Sequence, residues 1–431
     1  MYRKVIEELL RWKNSSRRKP LILRGARQVG KTWLVQEFAA TNYDESIYIS
    51  FDNDLASTQI FNETKDPKQI IERLSLIYNK KIIPEKTLII FDEIQECPNA
   101  LGSLKYFNEE ANEYHIISAG SLLGIYLAKP ASYPVGKVNL MTVYPFSFEE
   151  YLAAIDNGMY QYYSLVKSSK DYVAAFHEKM MEHYKKYLII GGMPECLLSW
   201  CNNADPEEVI TIQKEIISMY ESDFTKYNGN LNSGRILQVF RSIVPQLAKE
   251  NNEKFMYSAI AKSSRARDFE DAIEWLVTSG IIYRVLNVTK PEYPLKPYEM
   301  MNYFKLFMLD VGLLKYQADL TNKSIMLSEF FQFKGQLVEN YVLQQLISSG
   351  IEPNFYTYAQ DREIDFLVQY EETTIPIEVK SGTTKQAVSF KGYIEKYNPE
   401  IAVRFSPRPY LQNGAITNIP LYFAGKLFDL I

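Results

Sequence analysis

The stretch Leu21-Ile22-Leu23-Arg24-Gly25-Ala26-Arg27-Gln28-Val29-Gly30-Lys31-Thr32 decides the fold of the first part of this chain. An apolar strand runs into a glycine-rich loop, and residues 33–38 continue as an amphipathic helix. Gly25 and Gly30 allow close backbone approach to a phosphate chain, and the helix N-terminus presents N–H donors to it. Lys31 adds a cation and Thr32 a hydroxyl suited to Mg2+. The pattern predicts a P-loop that binds a nucleoside triphosphate, rather than a chance glycine turn before a helix.

A second strand supplies two carboxylates to the same predicted site. The run 87–94 is continuously apolar until Asp92 and Glu93, as expected for a buried parallel strand whose carboxyl end faces a ligand. Asp92 is predicted to hold Mg2+ through water, and Glu93 to act as general base on the attacking water. A merely solvated strand end is the alternative. The predicted ATP contacts are Gly25, Ala26, Arg27, Gln28, Val29, Gly30, Lys31, Thr32 and Trp33, with Thr32 and Asp92 at the Mg2+.

A third strand, residues 115–121, ends in hydroxyl groups. Ser121 is the candidate for sensing the γ-phosphate or positioning the attacking water, with Ser118 as second choice. A serine that only caps the strand end is the alternative for either position.

Composition limits the classes of function. A length of 431 residues predicts about three domains, and a net charge of −4 excludes a globally basic nucleic-acid coat, so any DNA contact must be local. The three cysteines are too few for a disulfide framework, which favours a reducing cytoplasm. The N-terminus lacks the pattern of a secretory leader, and no apolar stretch is long enough to span a bilayer. We therefore expect a soluble cytoplasmic protein without a membrane partner.

The first predicted domain, residues 1–225, is α/β. Strand and helix patterns alternate up to about residue 155, which is typical of a parallel sheet with crossover helices. Ser147 and Glu150 form a capping box for a new helix, and the pattern then stays helical to about residue 225, with a break at 191–194. We interpret these helices as a lid on an AAA-type ATPase core.

The second predicted domain, residues 226–320, has three helices followed by a strand from residue 280, which is similar to a winged helix. In that arrangement the turn and the start of the recognition helix would contact phosphates and bases of DNA. The residues concerned are Ser263, Ser264, Arg265 and Arg267. A linker bundle that only packs its neighbours together is the alternative.

The third predicted domain, residues 321–431, carries a possible second active site. Two strands, 356–368 and 374–380, alternate polar and apolar positions with period two. Glu378 and Lys380 then share one face, and Asp365 on the neighbouring strand joins them to bind a divalent metal. Glu339, on an upstream amphipathic helix, is a candidate third acid.

This D…ExK arrangement has the form used by metal-dependent phosphodiester nucleases of the PD-(D/E)xK type. Asp365 and Glu378 are the candidate Mg2+ ligands, and Lys380 would orient the water or stabilise the transition state, with Glu339 assisting. An ordinary surface pair of Glu378 and Lys380, beside a solvated Glu339, is the alternative.

The chain resembles the prokaryotic AAA-type ATP-binding proteins whose C-terminal domain of unknown function looks like a restriction endonuclease. The resemblance rests on segments 23–32, 91–95, 120–121, 144–150, 191–195, 335–339 and 376–380. It implies ATP binding and hydrolysis. Similar proteins usually have Gly-Arg before the Tyr-Pro-Phe-Ser strand, whereas this chain has Gly136 and Lys137. If that arginine acts as a finger, Lys137 supplies a point charge instead of a planar fork.

Two hypotheses follow from the sequence. In the first, the ATPase gates a metal-dependent nuclease on DNA, which the intact acid–lysine set favours. In the second, nucleotide state switches how the later domains bind DNA or a protein partner without cleavage, which the net acidity favours. AAA-type sites usually complete themselves at a subunit interface, so we also expect a homo-oligomer in ATP.

Overall fold

The computed structural model of the protein describes residues 1–120, 136–226, 233–248, 254–260, 265–327, 333–358, 362–382 and 388–431. They divide into two compact units. The P-loop unit comprises Arg3–Tyr144 and Thr278–Gly280, and the C-terminal unit comprises Met1–Tyr2, Pro145–Val277 and Ile281–Ile431. The predicted boundaries at 225/226 and 320/321 do not coincide with this division, which falls after Tyr144.

The P-loop unit is built on a parallel sheet. Its described elements are α1 (Val5–Lys13), β1 (Leu21–Arg24), α2 (Lys31–Asn42), β2 (Glu45–Ser50), α3 (Leu55–Glu63), α4 (Pro67–Tyr78), β3 (Thr87–Asp92), a 3-10 turn (Ile94–Glu96), α5 (Pro98–Glu110), β4 (His115–Ala119) and β5 (Asn139–Thr142). The strands lie in the order β2-β3-β4-β1-β5, and each neighbouring pair is parallel. The predicted α/β alternation is confirmed.

This strand order fixes where the candidate residues meet. β4 lies between β1 and β3, and all three strands run in the same direction. Their carboxyl ends therefore lie at one edge of the sheet, where α/β proteins bind ligands. Every residue of β3 is buried, so its apolar run reflects a central strand, and Asp92 is carried to that edge.

The C-terminal unit combines helices with an eight-stranded mixed sheet. Its helices are α6 (Phe148–Ile155), α7 (Asn157–Leu165), α8 (His177–Ile190), α9 (Pro194–Asn203), α10 (Pro206–Lys226), α11 (Ser233–Leu247), α12 (Ala266–Thr278), α13 (Val311–Gln317), α14 (Asn322–Met326), α15 (Lys334–Ser348) and α16 (Val388–Tyr397). Its strands are β6 (Ile282–Val288), β7 (Glu299–Met308), β8 (Asn354–Tyr358), β9 (Arg362–Tyr370), β10 (Thr373–Val379), β11 (Ala402–Ser406), β12 (Leu411–Asn413) and β13 (Ile416–Pro420). The strand order is β12-β13-β11-β10-β9-β8-β6-β7, and a 3-10 segment, Leu421–Asp429, ends the chain.

The helices predicted as an ATPase lid belong to the C-terminal unit, whereas the prediction grouped them with the P-loop sheet. Long-range polar contacts explain this. The amide of Phe148, at the start of α6, donates to Gln345 Oε1 of α15 at 2.8 Å. His177 Nδ1, at the start of α8, lies 2.9 Å from the hydroxyl of Tyr422. The capping box of Ser147 and Glu150 is present as predicted.

The predicted winged-helix segment is also continuous with the C-terminal sheet. The hairpin β6–β7 is antiparallel, and β6 pairs in parallel with β8 at Asn287 and Phe355. Of the three predicted helices, the structure describes α11, a 3-10 turn at Tyr257–Ala259 and α12. The hairpin therefore extends the same sheet that carries the C-terminal acids.

The glycine pair at 191–192 marks a buried anchor in this unit. The amide of Gly192 donates to Asp310 Oδ2 at 2.6 Å, and a Cβ there would lie 2.2 Å from the carbonyl oxygen of Phe146. Gly191 has φ +74°, and a Cβ there would lie 2.2 Å from Asp310 Oδ1. Asp310 also accepts from the Leu313 amide at 3.0 Å. The glycines are needed because the chain passes this close to a buried carboxylate.

Candidate functional site

The P-loop backbone bends sharply between β1 and α2. Gly30 is left-handed, with φ 87° and ψ 24°, and Gly25 has φ 146°. A Cβ at position 25 would lie 2.3 Å from the carbonyl oxygen of Val143. Glycine is therefore required at position 25 by a close contact within the protein itself. Along the loop Ala26 and Val29 are buried, Arg27 is half-buried, and Gln28, Thr32 and Trp33 are exposed.

The lysine of the loop is buried and folded back onto its own backbone. Lys31 Nζ donates to the carbonyl oxygens of Gly25 at 3.0 Å and Ala26 at 2.8 Å. Burial lowers the pKa of this ammonium to about 8, although Glu93 and Asp92 act to raise it. The ammonium therefore rests on neutral acceptors, which anionic phosphate oxygens can outcompete.

Asp92, at the end of β3, lies beside the hydroxyl of the P-loop. Its Oδ2 accepts hydrogen bonds from Thr32 Oγ1 at 3.0 Å and from the Tyr48 hydroxyl at 2.5 Å. A carboxylate and a hydroxyl that converge in this way are hard oxygen donors, and this donor set fits Mg2+. Burial raises the pKa of Tyr48, and its hydrogen bond to Asp92 raises it further.

Tyr48 was missed by the sequence analysis. The alternation along β2 places Tyr48 and Ser50 on one face, and Ser50 pairs in register with Asp92. Recognising Tyr48 from sequence would have required knowing that β2 and β3 are neighbours.

Glu93 leaves the strand in a left-handed conformation, with φ 49° and ψ 44°. Its amide donates to Asp92 Oδ1 at 3.1 Å, and its carboxylate accepts a hydrogen bond from Gln95 Nε2. Left-handed φ is uncommon for residues other than glycine, and such residues cluster at functional sites. Asp92 and Glu93 thus both lie at the sheet edge that carries the P-loop.

The three remaining candidate residues of this unit lie in different places. Ser121 lies outside the described residues. Ser118 is buried and pairs in register with Ile22 and Phe91, which belong to the apolar core; its role as second choice stays a prediction. Lys137 precedes β5, whose first residue aligns with the first residue of β1, so it lies at the edge of the sheet opposite the P-loop.

Lys137 is also engaged in an ion pair. Its Nζ lies 2.8 Å from Glu109 Oε1 at the end of α5. The position of Lys137 excludes a finger role at its own P-loop, because the parallel strand β1 separates the two edges. The sequence pattern pointed to Lys137 as a candidate, but the sheet edge on which Lys137 lies depends on the direction of β5.

The predicted DNA contacts of the middle segment are only partly described. Ser263 and Ser264 and the side chain of Arg267 lie outside the described part of the chain. Arg265 is exposed, and its backbone amide donates to Asp268 Oδ2 at 3.0 Å, which caps the start of α12.

The C-terminal sheet brings the predicted acids together. The antiparallel register pairs Ile377 with Phe366, so Glu378 and Asp365 are the next residues on β10 and β9. Asp365 Oδ2 accepts from the backbone amide of Val379 at 2.6 Å, and Glu378 forms an ion pair with Lys380. The surface-pair alternative does not hold for Glu378, which is 3% exposed.

The acids perturb one another. Burial raises the pKa of Glu339, on α15, and Asp365 raises it further. Burial likewise raises the pKa of Glu378, again reinforced by Asp365. Mutual elevation of this kind indicates an excess of negative charge, and it is frequent at functional sites. We call Glu339, Glu363, Asp365, Glu378, Lys305 and Lys380 the acid cluster.

Lys305 and Glu363 are members of the acid cluster that the sequence analysis missed. Lys305 lies on β7, in the segment predicted as a winged helix, and forms an ion pair with Glu363 on β9. Burial alone would lower the pKa of Lys305, but Glu363 and Glu339 outweigh it, and the pKa is raised. No local signal identifies this lysine, because its neighbours are about 30 to 60 residues away in sequence.

The acid cluster is a candidate metal site. In the part of the chain that the structure describes, no group of three or more histidine, cysteine, aspartate or glutamate side chains is arranged to hold an ion. Mg2+, however, is usually held by one or two carboxylates together with substrate phosphates. Asp365 and Glu378 are adjacent in a cluster of four acids and two lysines, and they would supply the two carboxylates of such a Mg2+ site.

Comparison with known families identifies the class to which the P-loop unit belongs. Residues 17–152 match the family model of an AAA domain. Residues 181–324 match a domain of unknown function (DUF8612), and residues 334–423 match another (DUF4143). The chain is therefore an AAA-type ATP-binding protein whose C-terminal domain is of unknown function. The first of the two unknown domains spans the predicted boundary at 225/226. No curated protein matches the sequence.

Several solved structures show distant likeness. The Orc1 protein of Aeropyrum pernix in complex with DNA is 13% identical, with 73% of this chain and 90% of that chain covered and a TM-score of 0.24. Cdc6p of Pyrobaculum aerophilum is 10% identical, covering 75% and 93%, with a TM-score of 0.25. A signal transduction ATPase with numerous domains from Pyrococcus horikoshii, which has a tetratricopeptide repeat sensor, is 14% identical, covering 81% and 45%, with a TM-score of 0.28. Because these TM-scores are low, the assignment rests on the AAA-domain match and the sheet.

Within the described ranges, none of the helices is both long and apolar enough to cross a bilayer.

Proposed function

We propose that the P-loop unit hydrolyses ATP with Mg2+. The observation that carries this proposal is the convergence of Thr32, Asp92 and buried Lys31 at one sheet edge, with Thr32 Oγ1 3.0 Å from Asp92 Oδ2. Thr32 and Asp92 would hold Mg2+, which offsets charge on the β- and γ-phosphates. Lys31 donates to the carbonyl oxygens of Gly25 and Ala26, and it would exchange these two acceptors for phosphate oxygens when ATP binds.

Glu93 is the proposed general base. It follows Asp92 directly, at the edge that carries the P-loop, where its carboxylate would take a proton from the attacking water. Ser121 stays a proposed γ-phosphate contact, and Trp33 a proposed contact of the nucleotide.

Two substitutions test the ATPase separately from nucleotide binding. Lys31→Ala should abolish ATP binding, measured with a fluorescent ATP analogue, whereas Glu93→Gln should keep binding and lose roughly 100-fold or more of turnover. Lys86→Ala is the matched control, because Lys86 is 64% exposed and pairs with Asp44. Full turnover in Glu93→Gln would remove Glu93 from the mechanism, and binding by Lys31→Ala would refute the P-loop assignment.

We further propose that the C-terminal unit acts on DNA, with the acid cluster as a metal-dependent phosphodiesterase site. Asp365 and Glu378 would hold the metal, Lys380 would stabilise charge on the phosphate, and Glu339 would complete the site. The excess of acid over lysine supports this, because a divalent cation would balance it. The hairpin β6–β7 with α11 and α12 is the proposed winged-helix-like part, and Arg265 its exposed candidate for phosphate contact.

The nuclease proposal is tested by cleavage of supercoiled and branched DNA in Mg2+ or Mn2+, with and without ATP. Cleavage by the natural protein should be lost in Lys380→Ala and kept in Lys391→Ala, since Lys391 is exposed on α16. Unchanged nicking by Lys380→Ala would contradict the assignment. An effect of ATP on cleavage would indicate gating.

A second function is favoured by a specific observation. Lys380 is paired with Glu378, and among the described residues no three acids are arranged around an ion. In this alternative the protein is an ATP-dependent switch whose C-terminal unit binds DNA or a protein partner without cutting. DNA affinity that differs between the ATP-bound and ATP-free protein, with no cleavage under any condition, would favour it. Equal affinity in both states would exclude it.

Self-association belongs to the same proposal. Lys137 lies at the sheet edge opposite its own P-loop, so a role on nucleotide would require a second copy of the chain. Sedimentation should show a larger species with ATP than without it. Equal sedimentation with and without ATP, at ATP concentrations well above its dissociation constant, would indicate that the protein acts as a monomer.

A further inference from the structure

One polar side chain at the nucleotide edge has no role in the mechanism described so far. Gln95 lies in the 3-10 turn after β3, and its Nε2 donates a hydrogen bond to Glu93 Oε2. We propose that Gln95 is a positioning residue for ATP hydrolysis, whose amide holds the Glu93 carboxylate in the orientation that takes a proton from water. The inference rests on the proposed ATPase activity.

The backbone explains how two residues so close in sequence face each other. Glu93 is left-handed, and the turn Ile94–Glu96 follows at once, with the amide of Glu96 donating to the Glu93 carbonyl oxygen at 3.0 Å. The chain therefore folds back, and Gln95 meets the carboxylate of Glu93. In an extended strand, the side chains of residues 93 and 95 would project in parallel from the same face, and the chain would not turn one toward the other.

The oxygen of the Gln95 side-chain amide is positioned by close packing against Gly120. A Cβ at position 120 would lie 2.0 Å from Gln95 Oε1, so this oxygen sits against Gly120 at the end of β4. Gln95 Oε1 is buried and accepts no hydrogen bond from the described residues. Burying an acceptor in this way is unfavourable, and such groups often mark functional strain. The slot at Gly120 thus orients the amide with Nε2 toward Glu93.

The chemistry of the pair suits a general base. A carboxylate only accepts hydrogen bonds, so it can be oriented by a neutral N–H donor without a cation that would neutralise it. Orientation of this kind acts on the chemical step rather than on nucleotide affinity, because Glu93 does not hold the phosphates. Gln95 should therefore affect kcat and leave KM nearly unchanged.

The test compares Gln95→Ala and Gln95→Glu with a matched control. Gln95→Glu keeps the size and removes the donor, and Gln59→Ala removes an exposed glutamine–glutamate pair of 2.9 Å between Gln59 Nε2 and Glu63 Oε1. Both Gln95 variants should lower kcat roughly 10- to 100-fold with nucleotide affinity within about twofold, and Gln59→Ala should match the natural protein. A kcat that is unchanged or raised in Gln95→Ala would overturn the proposal.

A double-mutant cycle tests the slot itself. Gly120→Ala should lower kcat by displacing the Gln95 amide, and it should lower kcat no further in the Gln95→Ala background, where the clashing oxygen is gone. If Gly120→Ala lowers kcat equally in the natural and the Gln95→Ala backgrounds, Gly120 does not act through the Gln95 amide. Failure of the ATPase proposal is distinguishable, because then the natural protein itself shows no turnover above Glu93→Gln.

Discussion

The P-loop site and the acid cluster both place carboxylates near a buried lysine, but they satisfy the charges differently. Lys31 donates to two backbone carbonyl oxygens, and Asp92 accepts from two hydroxyl groups. In the acid cluster, Lys305 pairs directly with Glu363, and Lys380 with Glu378. Neutral partners can be released when a ligand arrives, whereas removing one member of an internal ion pair leaves the other charged and buried. The first site should respond to mutation mainly in function, and the second in stability as well as in function.

The largest predicted effect follows from breaking the Lys305 pair. Lys305→Met should destabilise the C-terminal unit by about 3–5 kcal/mol, because Glu363 keeps its charge and loses its ammonium. Lys137→Met is the matched control, since that lysine is 41% exposed and an ion pair in contact with solvent, such as the one with Glu109, contributes little to stability.

Urea unfolding of both variants, followed by far-UV circular dichroism, provides the measurement. If Lys305→Met and Lys137→Met shift the midpoint equally, the distinction between internally paired and exposed charges fails for this protein. If Lys305→Met is as stable as the natural chain, Glu363 must be protonated or solvated instead.

These two lysines also show what the sequence could and could not predict. The P-loop, the buried strand ending at Asp92 and the capping box at Ser147 depend on residues a few positions apart, so their patterns could be recognised locally. The location of Lys137 depends on strand direction, and the contribution of Lys305 depends on the pairing of β6 with β8. Strand order in a sheet is set by contacts between residues distant in sequence. The lid and the separate middle domain were predicted from local helix and strand patterns, which carry no information on those contacts.

A second prediction concerns pH and the excess of acid in the cluster. Burial and Asp365 raise the pKa of Glu339, so the folded state holds a proton that the unfolded chain loses above about pH 4.3. In that range the folded state binds more protons, and stability therefore falls as pH rises until the folded-state pKa is passed. Glu339→Gln should remove part of this fall, because an amide resembles the protonated acid and does not titrate.

The measurement is the free energy of unfolding between pH 5 and pH 8. The variant should match the natural protein near pH 5 and exceed it near pH 8 by roughly 1–4 kcal/mol, since burial raises the pKa of Glu339 to about 8 and each pKa unit corresponds to about 1.4 kcal/mol. Glu372→Gln, in the exposed turn between β9 and β10, should leave the profile unchanged. Parallel profiles for the natural protein and Glu339→Gln would show that Glu339 is not one of the mutually repelling acids.

The smallest predicted effect separates function from stability at the P-loop site. Tyr48→Phe removes one of the two hydroxyl donors to Asp92, and Tyr43→Phe removes a hydroxyl 2.7 Å from His115 Nδ1 in the same unit. Each variant should lose about 1 kcal/mol of stability, the usual net value of one hydrogen bond. Only Tyr48→Phe should also change the Mg2+ concentration needed for half-maximal nucleotide binding, because only that hydroxyl orients the carboxylate proposed to hold the ion. An identical Mg2+ dependence in both variants would mean that Thr32 alone suffices to hold Asp92 in place, and Tyr48 would then be part of the packing of β2 against β3.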